Sequence, residues 1–193
     1  MDWCIIRDFI LTLSLWNVCT GTDFAGASVD EAEDGKQGVI NFSTPSLSDE
    51  EAHSIHMPAG LKCDGCLVVA YQLASGFSKA ERGKSKRLTE SQIFDVTDTV
   101  CGRKGFDQYG VKEIKGKKQL SGPGMPANES PGIMQGGGKW PTRLQAMCSN
   151  YIGELGEEEV YDAYREDETL VNTLCYDKGM FGLCSGQNKK DEL

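Results

Sequence analysis

Apolar positions recur at helical spacing from Leu61 through Cys66, Leu67, Ala70, Leu73, Ala74 and Phe77, with Pro58 placed to open the segment. Thr89 and Gln92 have the spacing of a capping box, and Ile93, Val96, Val100 and Cys101 continue the pattern as a second helix. Pro141 opens a third, in which Leu144, Met147, Cys148, Tyr151, Ile152 and Leu155 share a face and Gly153 and Gly156 interrupt or end it. Val160, Tyr161, Ala163 and Tyr164 predict a fourth helix; Leu170, Val171, Leu174 and Cys175 predict a short fifth. Ser48-Asp49-Glu50-Glu51 has capping-box spacing and starts a short helix ahead of them all. The pattern predicts an all-α domain over residues 48–186.

Helical periodicity stops between Gly102 and Lys139, where glycine and proline accumulate, so residues 102–139 read as a long insertion between helices two and three. Within it Val111–Leu120 is expected to pair with Gly132–Gln135 as a small hairpin. Lys112, Lys115, Lys117 and Lys118 form a basic cluster, read as a solvated face in preference to a docking patch, and Trp140 is expected to anchor the insertion in the core. Residues 22–47 form an acidic arm in which Thr22–Pro45 carries too few large apolar residues to offset the entropy of ordering, so it is expected to be disordered. Its acids lack the spacing of a calcium loop. Asn41 opens a glycosylation sequon there, and Asn128 opens a second that Pro131 should make a poorer acceptor.

The ends change the picture. Phe9–Val18 is an apolar run of signal-peptide length, too short to span a bilayer, so residues 1–21 are expected to be a cleaved signal peptide. Lys190-Asp191-Glu192-Leu193 is the tetrapeptide read by the retrieval receptor of the endoplasmic reticulum, on a tail of residues 187–193. The expected location is therefore the reticulum lumen, with secretion of any fraction that escapes retrieval. Loss of Arg7, Asp2 and Asp8 with the signal peptide takes 20 bases and 29 acids to 19 and 27, a net charge of −8 that argues against nucleic acid as a partner. No other stretch is apolar enough for a membrane span.

Of eight cysteines, Cys4 and Cys19 leave with the signal peptide and six remain, spaced Cys-x2-Cys, then 34, 46, 26 and 8 residues between neighbours. An even count in an oxidising compartment favours a disulfide framework, and spacing alone leaves the pairing open. Cys63-x-x-Cys66 also admits thiol–disulfide exchange, with Cys63 attacking and Cys66 resolving. Against it, Cys63 falls beyond the first turn of a helix begun near Pro58, and Asp64 disfavours a thiolate while Lys62 favours one. His53 and His56 near the pair are read as ordinary polar residues, with no metal expected. No catalytic triad is visible, Gly136-Gly137-Gly138 lacks a phosphate-loop pattern, and no cofactor is implied.

A helical chain with this cysteine order resembles the saposin-like fold, and the gap of 46 residues between third and fourth cysteines, much longer than in saposins, points to a particular branch of it, the canopy-related family, which combines such a core with retention in the reticulum. His56-Met57-Pro58-Ala59, Val69-Ala70-Tyr71-Gln72, Tyr109-Gly110-Val111-Lys112-Glu113, Gly122-Pro123-Gly124, Trp140-Pro141-Thr142-Arg143-Leu144 and Tyr151-Ile152-Gly153-Glu154 carry the likeness to plasma-cell-enriched, reticulum-resident members over residues 50–193. The resemblance implies a fold stapled by three nested disulfides, Cys63 with Cys184, Cys66 with Cys175 and Cys101 with Cys148. It implies a chaperone cofactor for immunoglobulin heavy and light chains, working beside the reticulum's ninety-kilodalton heat-shock-class chaperone in antibody assembly and secretion, with effects on calcium stores and integrin activation. It admits thiol oxidoreduction through Cys63 and Cys66 and, more weakly, saposin-type lipid binding.

Overall fold

Two capping boxes start helices where the sequence places them. In the computed structural model, which describes residues 44–166, 170–176 and 181–184, Ser48 caps α1 (Asp49–His53) with Glu51 reaching back to its backbone, and Thr89 and Gln92 do the same for α3 (Glu90–Val100). Between them runs α2 (Lys62–Glu81). Pro58 does not open this helix: it precedes a single 3-10 turn, Ala59–Leu61, after which α2 begins at Lys62. The signal-peptide segment, the arm before residue 44, Asn41 and the retrieval tail lie outside the described residues. At the near end of the described chain Pro45 is buried and Leu47 packs on the core.

α2 is the axis of the core, because Cys66, Val68, Val69, Ala70, Leu73 and Phe77 are all excluded from solvent. Each fully buried aliphatic or aromatic side chain contributes roughly 1.5–3 kcal/mol over exposure, so this helix is fixed by packing more than by propensity. Against it lie α3, α5 (Trp140–Leu155), α6 (Glu157–Arg165) and α7 (Leu170–Cys175). Phe77 meets the Tyr161 ring edge-on at 5.1 Å and Tyr164 at 5.3 Å, joining α2 to α6. Gly153 stays inside α5, and Gly156, at φ 90°, ends that helix and begins α6.

The domain is mostly helical without being all-α. The insertion holds a three-stranded antiparallel sheet of order β2-β1-β3, made by β1 (Gly110–Ile114), β2 (Lys117–Ser121) and β3 (Met134–Gly136), with α4 (Pro126–Glu129) between the last two. The expected hairpin is also redrawn, since Val111–Leu120 folds back on itself and Val111 pairs with Leu120 as well as with Gln135. The turn is Lys115-Gly116, at φ 51° and 75°. Positive φ at both central residues is what a two-residue hairpin needs to follow the twist of its strands. Tyr109 and the glycines of Gly122-Pro123-Gly124 seat this sheet on α2: a Cβ on Gly122 would lie 2.4 Å from the Tyr109 ring, and one on Gly124 2.4 Å from the Tyr71 ring.

Candidate functional site

The chemistry singled out in the sequence centres on the N-terminal end of α2, where Cys63 and Cys66 lie. Because α2 starts at Lys62, Cys63 is inside the first helical turn, not beyond it as a start near Pro58 would require. Neither sulfur is bonded to the other. Cys63 joins Cys184 (Cα–Cα 4.9 Å), Cys66 joins Cys175 (5.8 Å), and Cys101 joins Cys148 (5.4 Å). All six are at most 9% exposed. In this state none is a thiolate, so exchange at Cys63 would begin with an outside thiol attacking a buried bond.

Asp64, between the two cysteines, turns toward the sheet instead of toward them. Its Oδ2 accepts the Leu120 N–H at 2.8 Å, and burial pushes its carboxyl above the ordinary range although that bond and the charge of Lys117 pull the other way. His53 and His56 are exposed, and among the described residues no group of three or more His, Cys, Asp or Glu could hold a metal ion. Asn128 is exposed on α4. No helix among the described residues is long and apolar enough to cross a membrane.

The basic cluster does not stay together. Lys112 is 9% exposed and its Nζ donates to the carbonyls of Ala127 (3.2 Å), Asn128 (3.4 Å) and Ser130 (3.0 Å), ending α4 as a buried cap. Lys118 pairs with Glu51 at 2.6 Å, which holds the Glu51 carboxyl below its ordinary range and ties β2 to α1. Only Lys115 and Lys117, at and beside the turn, are exposed.

Trp140 is buried, and the guanidinium of Arg143 lies 4.5 Å over its ring. Sequence reasoning missed Arg143, which is 1% exposed and donates to the Glu51 carbonyl at 2.7 Å and to the Ser54 carbonyl at 2.6 Å. It also missed the roles of Tyr109 and Glu81. Tyr109 donates to the Pro123 carbonyl at 2.8 Å and accepts from Gln72 at 2.7 Å, and burial pushes its hydroxyl up to about 12. Glu81 accepts from Tyr161, from Arg165 at 2.9 Å and from Tyr164 at 3.5 Å, and these bonds, Tyr161's first, hold its carboxyl below the ordinary range. Helical spacing marks such residues as core or surface and says nothing of which carbonyl they meet.

Two hollows flank α2. One, of about 500 Å³, is largely apolar and is lined by Leu67, Tyr71, Met125, Leu170 and Val171 among others. The other, of about 570 Å³, lies between α1 and α5 over Met57, Lys62, Met147 and Tyr151. Among the described residues all six cysteines are bonded in pairs.

No family model matches the chain. Known proteins do. The Marginal zone B- and B1-cell-specific protein of Rattus norvegicus is 40% identical over 161 residues, an alignment covering 78% of this chain and 84% of the relative. The proteins of the same name from Homo sapiens and Mus musculus are 39% and 38% identical over 160 residues, with the same coverage.

Proposed function

Since the chain belongs to the family of the Marginal zone B- and B1-cell-specific proteins, we propose that it is a chaperone cofactor of the endoplasmic reticulum lumen, assisting folding, assembly and secretion of immunoglobulin heavy and light chains. The observation that carries the reading is the tetrapeptide Lys190-Asp191-Glu192-Leu193 on a disulfide-bonded chain of this family. Among the described residues no helix is long and apolar enough to cross a membrane and the six cysteines are bonded, and the mode of action we propose is the non-covalent holding of partners. Heavy and light chains and the heat-shock-class chaperone of the reticulum are the partners that the canopy-like resemblance supplies.

The test is co-precipitation from antibody-secreting cells after thiols are blocked. Heavy chain should accompany the protein without a covalent adduct on non-reducing gels, and removal of Lys190–Leu193 should send the protein into the medium. Absence of heavy chain from the precipitate, or unchanged retention of the truncated protein, would sink the reading.

One observation favours a second reading, thiol–disulfide exchange. Once reduced, Cys63 would sit in the first turn of α2, where the helix N-terminus stabilises a thiolate. Cys66→Ser would then trap mixed disulfides through Cys63. Because that change also frees Cys175, the decisive result is an adduct that persists in the Cys66→Ser, Cys175→Ser protein and disappears when Cys63 is replaced.

A further inference from the structure

The sheet has two edges, and they are finished differently. At β2 the Leu120 N–H points away from β1 onto Asp64, Lys118 closes on Glu51, and α2 and α4 pack alongside. That direction sets the phase of the whole sheet. Leu120 faces Val111 in a pair without mutual hydrogen bonds, so Val111 turns its own N–H and C=O toward β3. Val111 therefore bonds Gln135, and the main-chain groups of Met134 and Gly136 point outward. Among the described residues no hydrogen bond reaches them.

β3 is short, three residues, but among the described residues neither charge nor proline protects this edge. Gly132–Gly138 carries no charge and no proline, and Ile133 and Met134 leave their side chains 45% and 40% exposed beside the open backbone. Outward N–H and C=O groups in strand geometry recognise an extended main chain. The uncharged, partly thioether flank favours apolar side chains without selecting a single one.

From this geometry we infer that the outer edge of β3 is a docking site for an extended, apolar segment of a non-native polypeptide, taken up as a fourth strand. The inference rests on and deepens the chaperone-cofactor reading. Three residues of edge offer far less than the roughly 1,200 Å² that a stable dimer buries, which argues against a second copy as the occupant. Folded partners protect their own edges; an unfolded chain presents free strands that this edge can hold and release.

The experiment uses the full chain with its disulfides intact and a short labelled peptide of alternating valine and threonine, read by fluorescence anisotropy. Gly136→Pro removes one outward donor, whereas Gly136→Ala keeps it and places its Cβ 3.7 Å from the Tyr109 carbonyl, an ordinary contact. Gly136→Pro should weaken binding about three- to tenfold, Gly136→Ala by no more than about twofold, and a peptide N-methylated at every amide, which leaves neither of its edges a donor, should not bind. Equal affinity of the two variants, or equal binding of the N-methylated peptide, overturns the inference. So does a dimer in sedimentation that Gly136→Pro dissolves, because the edge would then belong to a second copy. Should Gly136→Pro fail to fold by circular dichroism, Met134→Lys and the N-methylated peptide decide in its place. Heavy-chain capture separates this inference from the reading beneath it. Equal capture by wild type and Gly136→Pro removes the edge and leaves the chaperone reading, whereas no capture by wild type alongside edge-dependent peptide binding removes the immunoglobulin reading and leaves the edge.

Discussion

α2 carries two kinds of attachment. On the scaffold side it is joined covalently, through Cys63 and Cys66, to the segments that hold Cys184 and Cys175. On the insertion side it holds the sheet with no covalent link, by packing and by the hydrogen bonds of Asp64 with Leu120 and of Gln72 with Tyr109. The two act on different states of the chain. Disulfides spanning 121 and 109 residues restrict the unfolded ensemble, and so stabilise everything inside them. Hydrogen bonds act only where they are made, so the sheet can open while the helices stay closed. Cys101–Cys148 stands at the boundary, pinning both roots of the insertion across 47 residues.

The sharpest break in this comparison is Cys101→Ser. Closing a loop of 47 residues is worth about 4 kcal/mol in the entropic account, so the variant should lose roughly 2–5 kcal/mol in urea unfolding and free the Cys148 thiol for alkylation. Scaffold and insertion should lose protection together. A Cys66-to-Cys148 peptide in a non-reducing digest of the wild type would refute the pairing itself.

Tyr109→Phe should cost less and should cost it locally. The hydroxyl sits between the Gln72 amide and the Pro123 carbonyl, and removing it leaves both without that partner at about 1–3 kcal/mol. Hydrogen exchange should quicken at β1 and β2 and stay unchanged in α2 and α5. Equal acceleration in both regions would show that the insertion is no separate unit. Lys118→Ala comes lower still, at about 0.5 kcal/mol, because its pair with Glu51 is partly solvated; salt should erase the difference.

The same division separates what was legible in the sequence from what was not. The helices could be read because each announces itself locally, by a capping box at Ser48 or Thr89 or an apolar face such as Leu144 to Leu155. The sheet could be read only in part. β2 is Lys-Lys-Gln-Leu-Ser, with one large apolar residue, and its place is fixed by the Lys115-Gly116 turn and by Asp64 on a helix 56 residues away. Lys112 and Arg143 were misplaced or missed for the same reason. Sequence reads Lys112 as part of a solvated face and gives Arg143 no role, and only the fold shows the carbonyls that make their burial tolerable. The candidate site shared this limit: Cys63-x-x-Cys66 was conspicuous, whereas the open edge at Met134 and Gly136 depends on the phase of a sheet that no local pattern states.

The smallest effect tests the insertion's own clamps against each other through pH. Two carboxylates grip β2, Glu51 through Lys118 and Asp64 through the Leu120 N–H, and the fold moves them in opposite directions. Glu51 is lowered from 4.5 chiefly by its bond to Lys118, so its contribution is present above that value and is lost as pH falls through the folded pKa. Asp64 is raised from 3.8 by burial, so the protonated form is favoured in the folded state. Its contribution is complete below 3.8 and is lost as pH rises through the higher folded value. Asp64→Asn keeps an oxygen for Leu120 and removes the titration. Measured by urea unfolding from about pH 3 to pH 7, the stability of this variant minus that of wild type should therefore climb and then level off. For Glu51→Gln the same difference should fall over that range. A flat difference for Asp64→Asn would mean that burial does not outweigh the Leu120 hydrogen bond and the Lys117 charge, and that the Asp64 carboxyl is not raised in the folded chain.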